Sequence, residues 1–196
     1  MQATLHDQRL AFVTGLLLHS GARRVLDLGC GAGRLLALLS QQAQFTHITG
    51  VDSSAAALAV ARDGLSKDIH SGRLALVHGD VVQAHPSVGE VDAIAMVEVI
   101  EHLVPARLSA AESTVFGHYR PPLVLITTPN VEYNPLLGLA HGRLRDPDHR
   151  FEWPRARFRG WATGLAQRHG YRVECGGIGE PHPEFGHPTQ YTLFKR

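Results

Sequence analysis

The sequence is poor in cysteine and has no apolar run long enough to cross a membrane. Its two cysteines, Cys30 and Cys175, lie too far apart to form the paired spacing of a zinc site or a redox motif. The longest apolar runs have the length of a strand, and the first residues lack the basic and apolar regions of a signal peptide. These absences favour a reducing, cytoplasmic location over disulfide bonding.

Charge of either sign is nearly balanced, which leaves the class of partner open. The chain of 196 residues has a formal net charge of +1, with 44% hydrophobic and 19% charged residues, as is usual for a globular protein. This balance neither requires nor excludes a nucleic acid as partner. Because the chain contains no internal repeat and no linker, its length predicts a single domain over residues 1–196.

Strand-like and helix-like segments alternate along the chain. Helices are predicted over 5–19, 35–42, 55–65, 101–118 and 154–169, and strands over 24–28, 46–52, 74–78, 91–97, 123–127, 171–175 and 189–194. Alternation at this spacing indicates βαβ units, and therefore an α/β fold with a parallel sheet and helices on both faces. The segment 128–153 interrupts the alternation, and a connection of this length is usually functional.

A glycine-rich turn follows the first predicted strand. Gly29, Gly31 and Gly33 alternate with other residues, so the backbone can bend tightly and approach a ligand closely. A dinucleotide-binding loop is the competing interpretation, but its third glycine stands one place later than Gly33. Asp27, just before the loop, suits an ammonium group better than a pyrophosphate. A tight turn from strand to helix, with no ligand, is the purely structural alternative.

Two further acids follow the next two predicted strands. Asp52 and Ser53 end the second strand, where a carboxylate can accept both ribose hydroxyls of an adenosine. Asp80 and Val81 follow the third strand, where a carboxylate can accept the adenine amino group. Together with the glycine turn, this set resembles the class I S-adenosylmethionine-dependent methyltransferases over about residues 20–130. The resemblance implies a Rossmann-like, seven-stranded, mostly parallel sheet and S-adenosylmethionine as the cofactor.

Two carboxylates and an imidazole follow the fourth predicted strand. If Glu98 starts a helix, then Glu101 and His102 share one face with it, at spacings i, i+3 and i+4. Three such groups on one face can bind a divalent cation. An acidic helix start without a metal is the alternative, because carboxylates are also favourable at the positive end of a helix.

Three motifs in combination are specific to one family. They are Glu-Val-Ile-Glu-His-Leu from Glu98, Thr-Pro-Asn-Val-Glu-Tyr-Asn from Thr128, and Asp-His-Arg-Phe-Glu-Trp from Asp148. Together they resemble the HEN-type small-RNA 3′-terminal 2′-O-methyltransferases over about residues 5–175. The resemblance implies that the chain methylates the 2′-hydroxyl of the ribose at the 3′ end of RNA.

The same resemblance implies a metal site, a substrate form and a partner. The residues that it assigns to one divalent metal, and to catalysis, are Glu98, Glu101, His102 and His149. The implied substrate is single-stranded RNA with free 2′ and 3′ hydroxyls at its 3′ end, and bacterial members accompany a polynucleotide kinase-phosphatase in RNA repair. The chain departs from the family at Pro154, where threonine is usual, and at Asp146, where histidine is frequent.

The chemistry explains why such a site needs a metal. The methyl group of a sulfonium is already activated, whereas a ribose hydroxyl is scarcely ionised at neutral pH. A divalent cation lowers the pKa of an oxygen that binds it. Mixed nitrogen and oxygen ligands suit Mn²⁺ better than Mg²⁺, with Co²⁺ and Fe²⁺ as alternatives. The general base is left open between a histidine near the metal and water.

Basic and aromatic residues are concentrated between positions 141 and 161, a composition that suits single-stranded nucleic acid. The arginines are Arg143, Arg145, Arg150, Arg155, Arg157 and Arg159, and the aromatic residues are Phe151, Trp153, Phe158 and Trp161. A solvated basic face is the alternative for the arginines. Phe158 and Trp161 have the helical spacing of core residues.

Two other functions compete with methylation of RNA. One is metal-assisted methylation of a small vicinal diol such as a catechol, which the basic segment disfavours because a small diol needs an enclosed apolar pocket. The other is a catalytically silent module that only binds RNA ends. The presence of Asp52, Asp80 and all four metal candidates disfavours that silent module.

Overall fold

The computed structural model describes residues 3–140 and 142–196; Met1, Gln2 and His141 lie outside them. Within these residues one sheet contains seven strands: β1 Arg24–Leu28, β2 His47–Asp52, β3 Leu74–His78, β4 Ala93–Val97, β5 Leu123–Pro129, β6 Arg172–Ile178 and β7 Thr189–Lys195. The α-helices are α1 Leu5–His19, α2 Arg34–Ser40, α3 Ala55–Gly64, α4 Ser66–His70, α5 Leu108–Glu112 and α6 Arg155–His169. Among the described helices, none is both long and apolar enough to cross a lipid bilayer.

The strand order is β3-β2-β1-β4-β5-β7-β6, and it brings two sequence motifs side by side. β1 pairs in parallel with β2 on one side and with β4 on the other, so the chain order reverses between β1 and β4. Such a reversal opens a crevice beyond the carboxyl ends of the two strands. The glycine turn follows β1 and Glu98 follows β4, so both lie at this crevice.

The predicted seven-stranded, mostly parallel sheet is confirmed. The first five strands in the order run parallel, and β7 is antiparallel to both β5 and β6. A hydrophobic cluster covers each face, because alternate strand residues point to opposite sides: Leu26 joins one cluster and its neighbour Val25 the other. Phe158 of α6 belongs to the first cluster and Leu10 of α1 to the second. The helices therefore lie on both faces, as the sequence predicts.

The helix predicted over 101–118 is broken into shorter pieces, so that prediction is wrong. A 3₁₀ turn over Ile100–His102 is followed by extended backbone at Leu103 and Val104. The physical reason is Pro105, because a proline disfavours the α conformation in the residue before it. Helical structure resumes with a second 3₁₀ turn, then α5, and then a π-helical segment over Ser113–Tyr119.

Two smaller differences concern an additional short helix and the start of α6. The short helix α4 was not predicted, because its five residues are too few to show a period in the sequence. The helix predicted from residue 154 begins at Arg155, with Pro154 as its extended N-cap residue.

The long connection between β5 and α6 begins and ends at the same place. Asn130 and Trp153 pair in an isolated parallel bridge. The side-chain amide of Gln190 on β7 donates to a carbonyl oxygen at each end of the connection, at 3.0 and 2.8 Å. Within it, Arg150 donates its backbone N–H to the carbonyl oxygen of Glu101 at 2.7 Å. These contacts hold the loop beside the 3₁₀ turn that follows β4.

Candidate active site

The glycine turn after β1 is held by the acid that ends β2. The Asp52 carboxylate accepts the N–H of Gly31 at 2.7 Å and the N–H of Ser54 at 2.8 Å. At Gly29, φ is +84° and a Cβ atom would lie 2.5 Å from the side chain of Val99, so only glycine fits there. The carboxylate predicted to bind ribose is therefore oriented by the protein itself.

Two adjoining cavities lie at the crevice beyond β1 and β4. The larger has a volume of about 400 Å³ and is lined by residues that include Asp52, Ser53, Asp80, Val81, Glu98 and His102. The smaller, of about 190 Å³, is lined by Asp27 and Gly31 among others, and Gly29 lines both. Seven of the eight predicted cofactor residues, together with Glu98 and His102 of the predicted metal set, therefore line two cavities that meet at Gly29.

Gly33 is the one predicted cofactor residue that lines neither of these cavities. It is the N-cap of α2 with φ +80°, and a Cβ atom there would lie 3.0 Å from the side chains of Ala61 and Leu65. Because Gly33 has no side chain, the turn can pack closely against α3.

Asp27 is a buried acid beside the smaller cavity, with 2% of its surface exposed. Burial raises the pKa of its carboxyl to about 7, and the nearby charge of Asp52 contributes to the increase. A carboxyl in this state is partly protonated at neutral pH, and a cationic group beside it would favour its ionised form.

Asp80 pairs with Arg107, a residue that carries no signal in the sequence. The guanidinium donates to one oxygen of the Asp80 carboxylate, and the N–H of Val82 donates to the other at 3.2 Å. Although burial opposes it, the hydrogen bond from Arg107 lowers the pKa of the Asp80 carboxyl. Arg107 also lines the larger cavity, where the turn that begins at Pro105 places it. No local pattern links two residues that stand 27 positions apart.

Three of the four predicted metal ligands meet beside the larger cavity. One ligand atom from each of Glu101, His102 and His149 lies within 4.8 Å of the other two. The two imidazole rings lie edge to face, with centroids 4.8 Å apart. Glu101 is fully buried and accepts the Thr128 hydroxyl at 2.9 Å through Oε2. Its Oε1 is buried with no hydrogen-bond partner among the described residues, which is unfavourable unless a cation or proton satisfies it.

Glu98, the fourth predicted ligand, does not join this group. It precedes the 3₁₀ turn and has φ +57°, so the predicted helical spacing from Glu98 is wrong. Its two carboxylate oxygens contact Arg9 of α1 at 3.0 Å and the Thr127 hydroxyl at 2.9 Å. Left-handed backbone costs a non-glycine residue about 1–2 kcal/mol, and these contacts hold Glu98 in that conformation.

Arg9 is a functional candidate that motif reasoning missed. It is 7% exposed and stands four and eight residues before Val13 and Leu17, both fully buried. A charged residue on the buried face of an amphipathic helix is unusual. That position was the available signal in the sequence, but it does not say which acid Arg9 would meet.

Burial and neighbouring charges shift the pKa values of three of the metal candidates, Glu98, Glu101 and His102. Burial raises the pKa of Glu101 well above its ordinary value, and the charge of Glu98 raises it further. Burial also raises the pKa of Glu98, against the opposing charge of Arg9. Burial lowers the pKa of His102, and His149 lowers it further. Buried carboxyls beside an imidazole whose pKa is lowered suit a divalent cation, which favours the deprotonated form of each.

The arginines of the long loop and of α6 do not form one exposed set. Arg145 is largely buried, and Arg155 is paired with an acid of the loop. Arg157 is exposed and lies over the ring of Trp153, 5.1 Å from its centroid. Phe158 is buried in the core, as its helical spacing predicts. The basic segment is thus divided between structural arginines and exposed ones.

Known methyltransferases share much of this sequence. A family model described as a methyltransferase domain matches residues 25–121. The small RNA 2′-O-methyltransferase of Mus musculus is 36% identical over 204 residues, a match that covers 98% of this chain and 51% of the mouse protein. The chain thus spans about half the length of the mouse and rat relatives that it matches.

Solved structures share the fold as well. The methyltransferase domain of bacterial CtHen1 has a TM-score of 0.88 at 41% identity, covering 98% of this chain and 100% of that one. The small RNA methyltransferase HEN1 has a TM-score of 0.91 at 31% identity, covering 100% of this chain and 26% of that one. Sequence and fold therefore agree over the whole length of a solved domain.

Proposed function

Because the chain belongs to the Hen1 family of methyltransferase domains, we propose that it transfers the methyl group of S-adenosylmethionine to the 2′-hydroxyl of the 3′-terminal ribose of RNA. The observation that carries the proposal is the shared cavity. Asp52 and Asp80, the acids suited to an adenosine, line it together with His102 of the metal group. The proposal treats residues 1–196 as one domain. A cytoplasmic location and a polynucleotide kinase-phosphatase partner stay predictions from the sequence.

The proposed cofactor contacts follow from the positions of the acids along the two cavities. Asp52 would accept the ribose hydroxyls, and Asp80 would accept the adenine amino group. Asp27 would hold the ammonium of the amino acid end, since it lines the smaller cavity next to the glycine turn. Gly29 lines both cavities, and a side chain there would collide with Val99, which lines the larger one.

Cofactor affinity should depend on pH through Asp27. Its pKa is about 7 because of burial, and an ammonium beside it favours ionisation. Binding of S-adenosylhomocysteine near pH 6.5 should therefore release a proton, and affinity should fall roughly tenfold from pH 8 to pH 6 as Asp27 becomes protonated. Calorimetry in buffers of different ionisation enthalpy measures both effects.

The control for this pH dependence is Asp27→Asn, which removes the titrating group and keeps the shape of the side chain. It should bind more weakly than the wild type, with an affinity that does not change over the same pH range. Equal proton release by the variant and the wild type would exclude Asp27 as the group that titrates.

The donor set fits a divalent cation. The buried Oε1 of Glu101 lacks a partner among the described residues. A ring nitrogen of His102 and one of His149 lie within 4.8 Å of each other and of a Glu101 carboxylate oxygen. Glu101, His102 and His149 would hold the ion, with Glu98 as the fourth candidate from the adjoining cavity wall. One divalent ion is expected, Mn²⁺ or Mg²⁺, with Co²⁺ and Fe²⁺ as alternatives. When bound, such an ion lowers the pKa of a nearby hydroxyl.

An aromatic and basic groove, built partly from the segments that carry the metal candidates, supports RNA as the substrate. It has a volume of about 500 Å³ and is lined by residues that include Pro105, Leu108, Trp153, Arg157 and Trp161. Its walls come from the two segments that also carry the metal candidates, since Pro105 follows His102 by three residues and Trp153 follows His149 by four. Trp153 is buried beneath Arg157, whereas the half-buried Trp161 and the exposed Arg157 suit a single strand that leads to the reacting nucleotide.

Removal of the exposed arginine should weaken RNA binding without slowing the reaction of bound RNA. We expect Arg157→Ala to raise the KM for RNA about fivefold and to leave kcat unchanged, because one charged contact contributes about 1 kcal/mol. The matched control is Arg62→Ala, which removes an exposed arginine of α3 that lines none of the described cavities. Equal KM values for both variants would place the RNA strand elsewhere.

A transfer assay tests the proposed function. The protein is incubated with labelled S-adenosylmethionine, Mn²⁺ and RNA that ends either in a 2′,3′-diol or in a 3′-phosphate. Label is expected on the diol end and not on the phosphate end, because only the diol offers both free hydroxyls. RNA with a 2′-deoxy terminus is the matched substrate control and should remain unlabelled.

The same assay separates the competing functions. Label on a catechol with none on RNA would establish the small-diol methyltransferase in place of the proposal. RNA binding without transfer to any acceptor would establish the silent end-binding module.

A further inference from the structure

Glu152 is a buried carboxylate directly behind His149. Its side chain has no exposed surface. It receives three hydrogen bonds: from the imidazole Nδ1 of His149 at 2.6 Å, from the backbone N–H of Arg145 at 2.7 Å, and from the side-chain amide of Asn134 at 2.7 Å. A buried carboxylate needs such hydrogen-bond donors, and here the surrounding fold supplies three of them.

The donors to Glu152 are themselves held in place. The side-chain oxygen of Asn134 accepts the Nε–H of Arg145 at 2.6 Å. The remaining guanidinium nitrogens of Arg145 donate to the carbonyl oxygens of Pro188 and Asn130, at 2.8 and 2.6 Å. The amide orientation of Asn134 is therefore defined by a donor on one side and an acceptor on the other.

We propose that Glu152 is a positioning residue that holds His149 with its Nε2 free for the metal ion. The inference rests on the metal site of the proposed function. Because Nδ1 of His149 is bonded to Glu152, only Nε2 remains to join Glu101 and His102 in the group of ligand atoms. A carboxylate behind a histidine ligand fixes both its ring orientation and its tautomer.

A simple replacement of Glu152 does not separate positioning from folding. In Glu152→Gln, the new NH₂ group lies against either the Asn134 amide, the Arg145 N–H or the His149 ring, all of which donate hydrogen bonds to the carboxylate now. Two donors then face each other in a buried place, which destabilises the fold by about 1–3 kcal/mol. Loss of metal affinity in this variant alone would therefore have two explanations.

A double variant separates the two roles. In Glu152→Gln with Asn134→Asp, the new aspartate accepts a hydrogen bond from the amide introduced at position 152 and keeps its acceptor role toward Arg145. The oxygen of the introduced amide remains available to His149 and to the Arg145 N–H. The total charge is that of the wild type, and one weak hydrogen bond is lost, because the Asn134 amide also donates to the carbonyl oxygen of Arg143 at 3.3 Å. The carboxylate now stands at position 134 and no longer contacts His149, whose Nδ1 faces the neutral amide at position 152 instead.

The measurements are the melting temperature and the Kd for Mn²⁺, with no RNA and no turnover. We expect the double variant to recover most of the melting temperature lost in Glu152→Gln, while its Mn²⁺ affinity stays at least about tenfold weaker than that of the wild type. Recovery of Mn²⁺ affinity together with stability would show that Glu152 has only a structural role. Unchanged Mn²⁺ affinity in Glu152→Gln would also overturn the proposal.

His149→Ala distinguishes failure of this role from failure of the proposed function. If His149→Ala binds Mn²⁺ as the wild type does, the metal site itself is wrong, and the role of Glu152 fails with it. If His149→Ala loses Mn²⁺ and the double variant keeps it, only the role of Glu152 is overturned.

Discussion

His149→Ala is expected to abolish Mn²⁺-dependent methyl transfer to RNA while cofactor affinity stays unchanged. His149 is the one member of the Glu101, His102 and His149 group that the long loop supplies. Loss of a residue that only supports a metal ligand reduces activity roughly 10- to 100-fold. Loss of the ligand itself should reduce the rate further. His149 lines neither cofactor cavity, so its removal leaves those contacts in place. Transfer of label gives the rate, and calorimetry with S-adenosylhomocysteine gives the affinity.

The matched control is His47→Ala. His47 is an exposed histidine at the amino end of β2, whereas the site lies at the carboxyl ends of the strands. This variant should keep both activity and cofactor affinity. A His149→Ala protein that still methylates RNA with Mn²⁺ would contradict the ligand assignment, and one that fails to bind cofactor would show that His149 supports the fold of the whole site.

The second large effect is expected from Asp52→Asn, which should weaken the binding of S-adenosylhomocysteine. The carboxylate accepts the N–H groups of Gly31 and Ser54 and is also proposed to accept the ribose hydroxyls. An amide of the same size offers one acceptor oxygen and turns a donor toward one of these partners. Hydrogen bonds to a charged group contribute about 1.5–3 kcal/mol, so affinity should fall about 10- to 100-fold.

Asp63→Asn is the control for this effect, because Asp63 is an exposed acid on the neighbouring helix α3. It should bind the cofactor like the wild type. Calorimetry measures the affinity of both variants, and a thermal melt checks that the sheet is intact. If Asp52→Asn bound S-adenosylhomocysteine with wild-type affinity, the proposed contact between Asp52 and the ribose would be wrong, and so would the proposed orientation of the cofactor.

The cofactor residues could be predicted because they depend on local patterns. A short apolar run predicts a strand, and Gly29, Asp52 and Asp80 each stand at or just after the end of one. Parallel strands bring their carboxyl ends to the same edge of a sheet, so residues far apart in the chain meet there without any pairwise signal. Their placement around adjoining cavities follows from strand order alone.

The predicted geometry failed where backbone conformation depended on neighbours. The helix from Glu98 was inferred from spacing, but Pro105 shortens it, and Glu98 adopts left-handed backbone before the 3₁₀ turn. The effect of Pro105 was available in the sequence. The conformation of Glu98 was not, because it depends on contacts with Arg9 and Thr127 on two other elements.

The positions of the strands along the chain and the residues that end them are set by apolar patterns and turn residues, and the alternation of strands and helices indicates the parallel sheet; all of these can be read from the sequence. The pairing of buried charges depends on the tertiary structure. Arg9 meets Glu98, Arg107 meets Asp80, and Glu152 lies behind His149 within a network that also includes Asn134 and Arg145. Such pairs follow from packing between elements, since a buried charge must find a partner wherever the fold brings one within reach.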